Sequence, residues 1–147
     1  MLQAEIIFFT ESPCDFELND KTLAQQWIAQ LAEKHGHQIE SINYIFCTDD
    51  YLKQVNIDYL QHDYYTDIIT FDNSEEEGII ESDIFISIDR VKDNAQTLGI
   101  SFNEELLRVL AHGLLHLVGF SDKTEMESQI MREKENEAIT LYKTLET

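Results

Sequence analysis

The chain has 147 residues and is 43% hydrophobic, enough for one domain with a real core and too apolar for compositional disorder. No apolar run nears the roughly 20 residues of a membrane-spanning helix, the opening Met1-Leu2-Gln3-Ala4-Glu5 lacks the basic, cleavable pattern of a secretory leader, and two cysteines without CxxC spacing argue against a disulfide scaffold and for the cytoplasm. Twenty-nine acidic against ten basic residues give a formal charge of −19, whose long-range field repels polyanions.

Residues 4–9 are β-prone and predict a first strand. Asn19 or Asp20 can cap a helix in which Leu23, Trp27, Ile28 and Leu31 recur at helical spacing, closed by Gly36. Residues 38–47 alternate as a second strand. Asp49 or Asp50 then opens a helix with Leu52, Val55 and Tyr59 on one face. Thr66–Phe71 reads as a short strand, and the turn Asp72–Gly78, with three adjacent glutamates, as a solvated tip. Residues 79–88, with Asp83 inside, complete an antiparallel hairpin. Ser101-Phe102-Asn103-Glu104 has the pattern of a capping box. It precedes an apolar stripe of Leu106, Val109, Leu110, Gly113, Leu114 and Leu117 that Gly119 stops. A last helix starts near Lys123, apolar at Ile130, Met131, Ala138, Leu141 and Tyr142, with its Glu and Lys residues on an exposed face. The expected fold is α+β: a single domain over residues 1–147, a mixed four-stranded sheet covered by helices in the order β-α-β-α-β-β-α-α, with a zincin-like metal helix. Strand order stays open.

The strongest chemical signal is His112-Gly113-Leu114-Leu115-His116-Leu117-Val118-Gly119-Phe120-Ser121-Asp122. Histidines at i and i+4 lie about 40° apart on one helix face, about one turn from each other, so two imidazoles can grip one ion from a rigid support. Gly119 can take a conformation closed to other residues, letting the chain turn and bring Asp122 back as a third ligand. Three protein ligands with a fourth position open is the catalytic pattern for zinc, one Zn²⁺ per chain; the carboxylate, harder than imidazole, also suits manganese or iron. The His-x3-His-x2-Gly-x2-ligand spacing is that of metzincin peptidases. Gly113, however, stands where the HExxH glutamate supplies the base, which argues against peptide hydrolysis. Thr66 and Asp67 are either a turn entering a strand or a polar, substrate-binding border of the metal cleft. Arg108, one turn before His112, is either a catalytic positive charge or a surface salt bridge. Asp83 is either a satisfied carboxylate or the partner of a ligand histidine's second nitrogen. His35, His37 and His62 have no ligand spacing and read as surface or capping residues, and Cys14 and Cys47 as ordinary core or loop residues.

His-Gly-x-Leu-His-Leu-x-Gly-Phe over 112–120 resembles the signature of the YbeY family of metal-dependent single-strand endoribonucleases. Three further blocks are similar in order and spacing: Asn56-x2-Tyr59 with Asp63-x2-Thr66-Asp67-Ile68-Ile69-Thr70-Phe71, then Ser82-Asp83-Ile84-Phe85-Ile86-Ser87, then Met131-x3-Glu135. The likeness covers about residues 40–140. The family places a histidine where Asp122 stands, an aspartate at Ser121, an arginine at Leu60 and a proline at Tyr65.

The resemblance implies a zinc-dependent endoribonuclease of rRNA processing (16S rRNA 3′-end maturation) and ribosome quality control. His112, His116 and Asp122 would hold the ion, His112 and His116 would be catalytic, and Arg108 joins them as a catalytic candidate from its place one turn before His112. Single-stranded rRNA would be the substrate and the small ribosomal subunit the partner, in the cytoplasm and away from membranes. Basic ribosomal proteins can draw in so acidic a factor. Two other readings stay open: a non-catalytic, metal-stabilised ribosome-assembly factor, favoured by Leu60 and the acidic surface, and a metallohydrolase of another substrate such as a peptide or small phosphoester.

Overall fold

Asp20 sets where the first helix begins: its carboxylate accepts from the Leu23 N–H at 3.0 Å. The computed structural model describes residues 3–147, so Met1 and Leu2 of the N-terminal segment lie outside it. In chain order the elements are β1 (Glu5–Thr10), α1 (Lys21–Lys34), β2 (Gln38–Cys47), α2 (Asp49–Leu60), β3 (Ile68–Asp72), β4 (Ile79–Ser87), α3 (Ile88–Leu98), α4 (Phe102–Leu117) and α5 (Glu125–Leu145). The sheet order is β1-β2-β4-β3, with β1, β2 and β4 parallel and β3 antiparallel to β4 as the hairpin pattern predicts. The mixed four-stranded α+β fold is as expected. The element order is corrected by one helix, α3, which follows β4 without a turn, its first N–H groups capped by the Ser87 hydroxyl at 3.1 Å from Arg90 N.

Side-chain alternation makes the sheet two-faced. Ile42, Tyr44, Ile84 and Ile86 point into the main core, which α1, α4 and α5 close with Trp27, Leu106, Leu110, Leu114 and Met131. Ile69, Phe71 and Phe85 point the other way, where α2 covers them with Leu52 and Val55. Each such buried Leu or Ile stabilises the fold by about 1.5–3 kcal/mol. The Trp27 indole donates to the Ala138 carbonyl at 2.8 Å and ties α1 to α5. Cys47 lies in the α2 layer, where burial pushes its thiol up to about 12.

Several helix positions depart from the sequence pattern. Tyr59 is 71% exposed, its ring lying edge-on to Phe71 at the sheet margin, and Ile130 is 39% exposed, because α5 turns Ile139 inward beside Ala138. At α4 only half of the capping box forms: Ser101 Oγ accepts from Glu104 N, while the Glu104 carboxylate faces Lys143 at 3.6 Å. The reciprocal box is at Thr124 and Glu127, opening α5. Asp83 is a satisfied carboxylate, taking hydrogen bonds from Asn43 at 2.9 Å and Asn73 at 3.3 Å.

Gly113 decides how closely α4 lies on the sheet. A Cβ there would come within 2.9 Å of Ile68 Cδ1 and 3.4 Å of both Ile84 Cδ1 and Thr70 Oγ1. Writing the HExxH glutamate back as Gly113→Glu is therefore expected to overpack this contact and cost about 1–3 kcal/mol of stability. Gly113→Ala is expected to be near neutral, because only the flexible tip of Ile68 must move and alanine favours the helix by about 1 kcal/mol. Urea denaturation of both variants checks this. An unshifted midpoint for Gly113→Glu would show that the contact is loose.

Candidate metal centre

The edge strand β3 is flanked by α2 from one face and α4 from the other, and a cleft of about 650 Å³ opens where they meet. Its lining includes Leu60 from the end of α2, Thr66 and Asp67 from the entry to β3, and His112, His116 and Asp122.

The three candidate ligands converge as their spacing predicts. Past the end of α4, Gly119 has φ +110°, and Phe120 N returns to the Leu115 carbonyl at 3.0 Å, so the chain doubles back. His112 Nε2 and His116 Nε2 are 3.0 Å apart. Asp122 reaches them at 3.4 Å and 3.6 Å through its two oxygens. A tetrahedral ion with arms of about 2.0–2.2 Å needs ligand atoms about 3.3–3.6 Å apart. Taking one atom from each residue, the three lie within 4.8 Å of one another, so two imidazoles and a carboxylate converge as a donor set suited in chemistry to one divalent ion.

Sequence reasoning placed the acidic residues of α5 on an exposed face. Glu135 is a correction, with a side chain only 2% exposed. Its carboxylate accepts from His112 Nδ1 at 2.7 Å, which fixes the tautomer with the Nε2 lone pair directed at Asp122 and His116. This is the role offered above as one alternative for Asp83, and it belongs to Glu135. Arg108 donates to the other Glu135 oxygen at 3.2 Å and to Glu105 at 2.7 Å and 2.9 Å, the Glu105 side chain being wholly buried. Arg108 is therefore neither a surface salt bridge nor part of the cleft lining. It lies behind Glu135, which lies behind His112. The signal was available: Glu105 and Glu135 fall on the apolar stripes of α4 and α5 beside Leu106 and Met131, and an acid on such a stripe needs a buried partner.

The electrostatics separate the two rings. Burial pulls the His112 pKa down, but the hydrogen bond and charge of Glu135, with Asp122 and Asp67, win and leave it raised. For His116, burial and the neighbouring His112 outweigh Asp122, and its pKa is lowered. Burial pushes the Asp67 carboxyl above the usual carboxylate range, against the pull of His112. Thr66 Oγ1 turns back to the Ile68 carbonyl at 3.3 Å.

Of the other histidines, His35 packs edge-on to Phe120 and His37 Nδ1 lies 2.8 Å from the His35 carbonyl oxygen, both away from the centre. His62 is exposed, as its surface assignment has it, and it also lines the same cleft. Leu60, at the family's arginine position, also lines it and brings no charge. Tyr65, at the proline position, lies under the ammonium of Lys53 at 4.7 Å from its ring centre.

The family model described as Endoribonuclease YbeY matches residues 9–143. A Cytophaga hutchinsonii protein named Endoribonuclease YbeY is 53% identical over 142 residues, 97% of this chain and 99% of its own length. A Christiangramia forsetii protein of the same name is 47% identical over 97% of each chain. Among solved structures, the solution structure of a Thermotoga maritima protein superposes with a TM-score of 0.65 at 25% identity, covering 93% of this chain and 88% of that one.

Proposed function

The chain belongs to the YbeY endoribonuclease family, and on that premise we propose that it is a metal-dependent hydrolase that cuts single-stranded rRNA during rRNA processing. The observation that carries the metal dependence is the convergence of His112, His116 and Asp122, one ligand atom from each lying within 4.8 Å of the others. We assign Zn²⁺, one per chain, to these three residues. When bound, such an ion supplies Lewis acidity toward a phosphoryl oxygen and toward water.

The chain's own residues do the rest. Glu135 holds the His112 ring in one tautomer and orientation, and Arg108 holds Glu135. Arg108 is thus a positioning residue, not a group that touches the substrate. Thr66 and Asp67 form the polar wall of the cleft at the entry to β3, where the RNA strand would lie. The −19 charge opposes free RNA at long range but favours docking beside basic proteins of the small ribosomal subunit in the cytoplasm. No described helix is long and apolar enough to cross a membrane.

The test is direct. Single-stranded RNA is expected to be cut by the metal-loaded chain and left whole by His116→Ala. Equal cutting by the two proteins would end the assignment, and no cutting by either would favour a non-catalytic assembly factor.

A further inference from the structure

The cleft that holds the metal ligands has an unusual lining for a nucleic-acid enzyme: none of the described residues around it is lysine or arginine. Leu60, where the resemblance places an arginine, is part of that lining. In a chain of net charge −19, the protein side of this cleft has no charge with which to hold a phosphate backbone. It has aromatic rings instead.

Tyr64 is 54% exposed and lines the cleft beside His62. The two rings are stacked, with centres 5.3 Å apart and planes within 18°, and the Tyr64 hydroxyl lies 3.0 Å from His62 Nδ1. The loop that carries them is pinned. Gln61 ends α2 in the left-handed region at φ 58°. The buried Asn56 then clamps both sides, its carbonyl accepting from His62 N at 3.1 Å and its amide donating to the Tyr64 carbonyl at 3.1 Å. The aromatic surface is held in place before any ligand arrives, so little ordering cost remains for binding.

We propose that the stacked His62–Tyr64 pair is a platform for one unpaired nucleobase of the RNA strand whose phosphodiester lies at the metal ligands. The inference rests on the nuclease reading and supplies what that reading lacks, a source of affinity for RNA in a cleft without cations. Every base has a π-face, so such a platform selects unpaired RNA over duplex without selecting sequence. It also makes binding only weakly dependent on salt, because few counterions are released.

The experiment measures binding of a fluorescent single-stranded RNA oligomer to the full chain in chelator, where cutting is off, using intact oligomers and a series with one abasic site moved along the strand. Tyr64→Ala is expected to weaken binding of the intact oligomer about 5- to 100-fold, and Tyr64→Trp to retain it. One abasic position is expected to cost the parent chain a similar factor and to cost Tyr64→Ala nothing further. Loss of binding to the same extent in both proteins on abasic substitution, an unchanged affinity in Tyr64→Ala, or no measurable RNA binding by the parent overturns the platform. If Tyr64→Ala weakens only co-sedimentation with small ribosomal subunits, the face serves a protein partner and the proposal fails. The two ideas separate cleanly. Failure of the metal-loaded parent to cut RNA removes the nuclease reading, whereas the abasic cycle decides the platform whether or not RNA is cut.

Discussion

Replacing Arg108 with leucine is expected to lower the stability of the protein by about 3–5 kcal/mol, a fall of roughly 6–20 °C in Tm for a chain of this size. The Glu105 side chain is fully buried and has Arg108 as its one ion-pair partner among the described residues. Glu135, 2% exposed, would keep His112 and the more distant Arg132 at 3.6 Å but lose its closer guanidinium. Removing the cation leaves buried negative charge uncompensated, which costs far more than the net worth of the pair. The companion variant Arg108→Met with Glu105→Met is expected to recover much of the loss, because an apolar pair of similar volume leaves no charge behind at Glu105. Thermal and urea unfolding of the single and double variants measure this. A single variant as stable as the parent would show that the two carboxylates do not depend on Arg108.

The second large effect is at Asp122. The parent is expected to purify with, or take up, one equivalent of divalent metal, and Asp122→Ala to lose it together with RNA cleavage. The loss in affinity should exceed the roughly 10–100-fold that removal of a partner behind a ligand costs, as in Glu135→Gln. Two imidazoles 3.0 Å apart on one helix leave half of a tetrahedron unfilled, and only Asp122 among the described residues closes a third corner. Asp122→His is expected to keep the metal and shift preference toward zinc, since imidazole is softer than carboxylate. Elemental analysis of the three proteins, with zinc and manganese offered in competition, gives the answer. One full equivalent retained in Asp122→Ala would take Asp122 out of the ligand set.

The reasons some of this was legible in the sequence, and some not, are physical. The candidate ligands His112, His116 and Asp122 could be read because they are local: with Gly119 they lie on one helix and its exit, where spacing alone fixes geometry. The boundaries of β2 and α1 could be read for the same reason, from the partial alternation of β2 and from Asp20 at the cap of α1. Helix α3 escaped although Ile88, Val91 and Ala95 recur at helical spacing, because its cap, Ser87, lies at the end of the apolar run of β4 with no turn between. Glu135 escaped because whether a carboxylate is solvated or buried depends on what packs against it. Here Arg108 and His112 arrive from another helix. The cleft wall escaped in part for a similar reason: His62 and Tyr64 share no ligand spacing, and only the clamp by Asn56 brings them to the cleft that holds the ligands.

The ring of chain that an ion would close, from His112 round to Asp122, is only about ten residues long and already folded back through Gly119. Clipping so short a segment removes less freedom from the unfolded polypeptide than clipping a long one would. The cation is thus a tool carried by a finished scaffold rather than a rivet that assembles it.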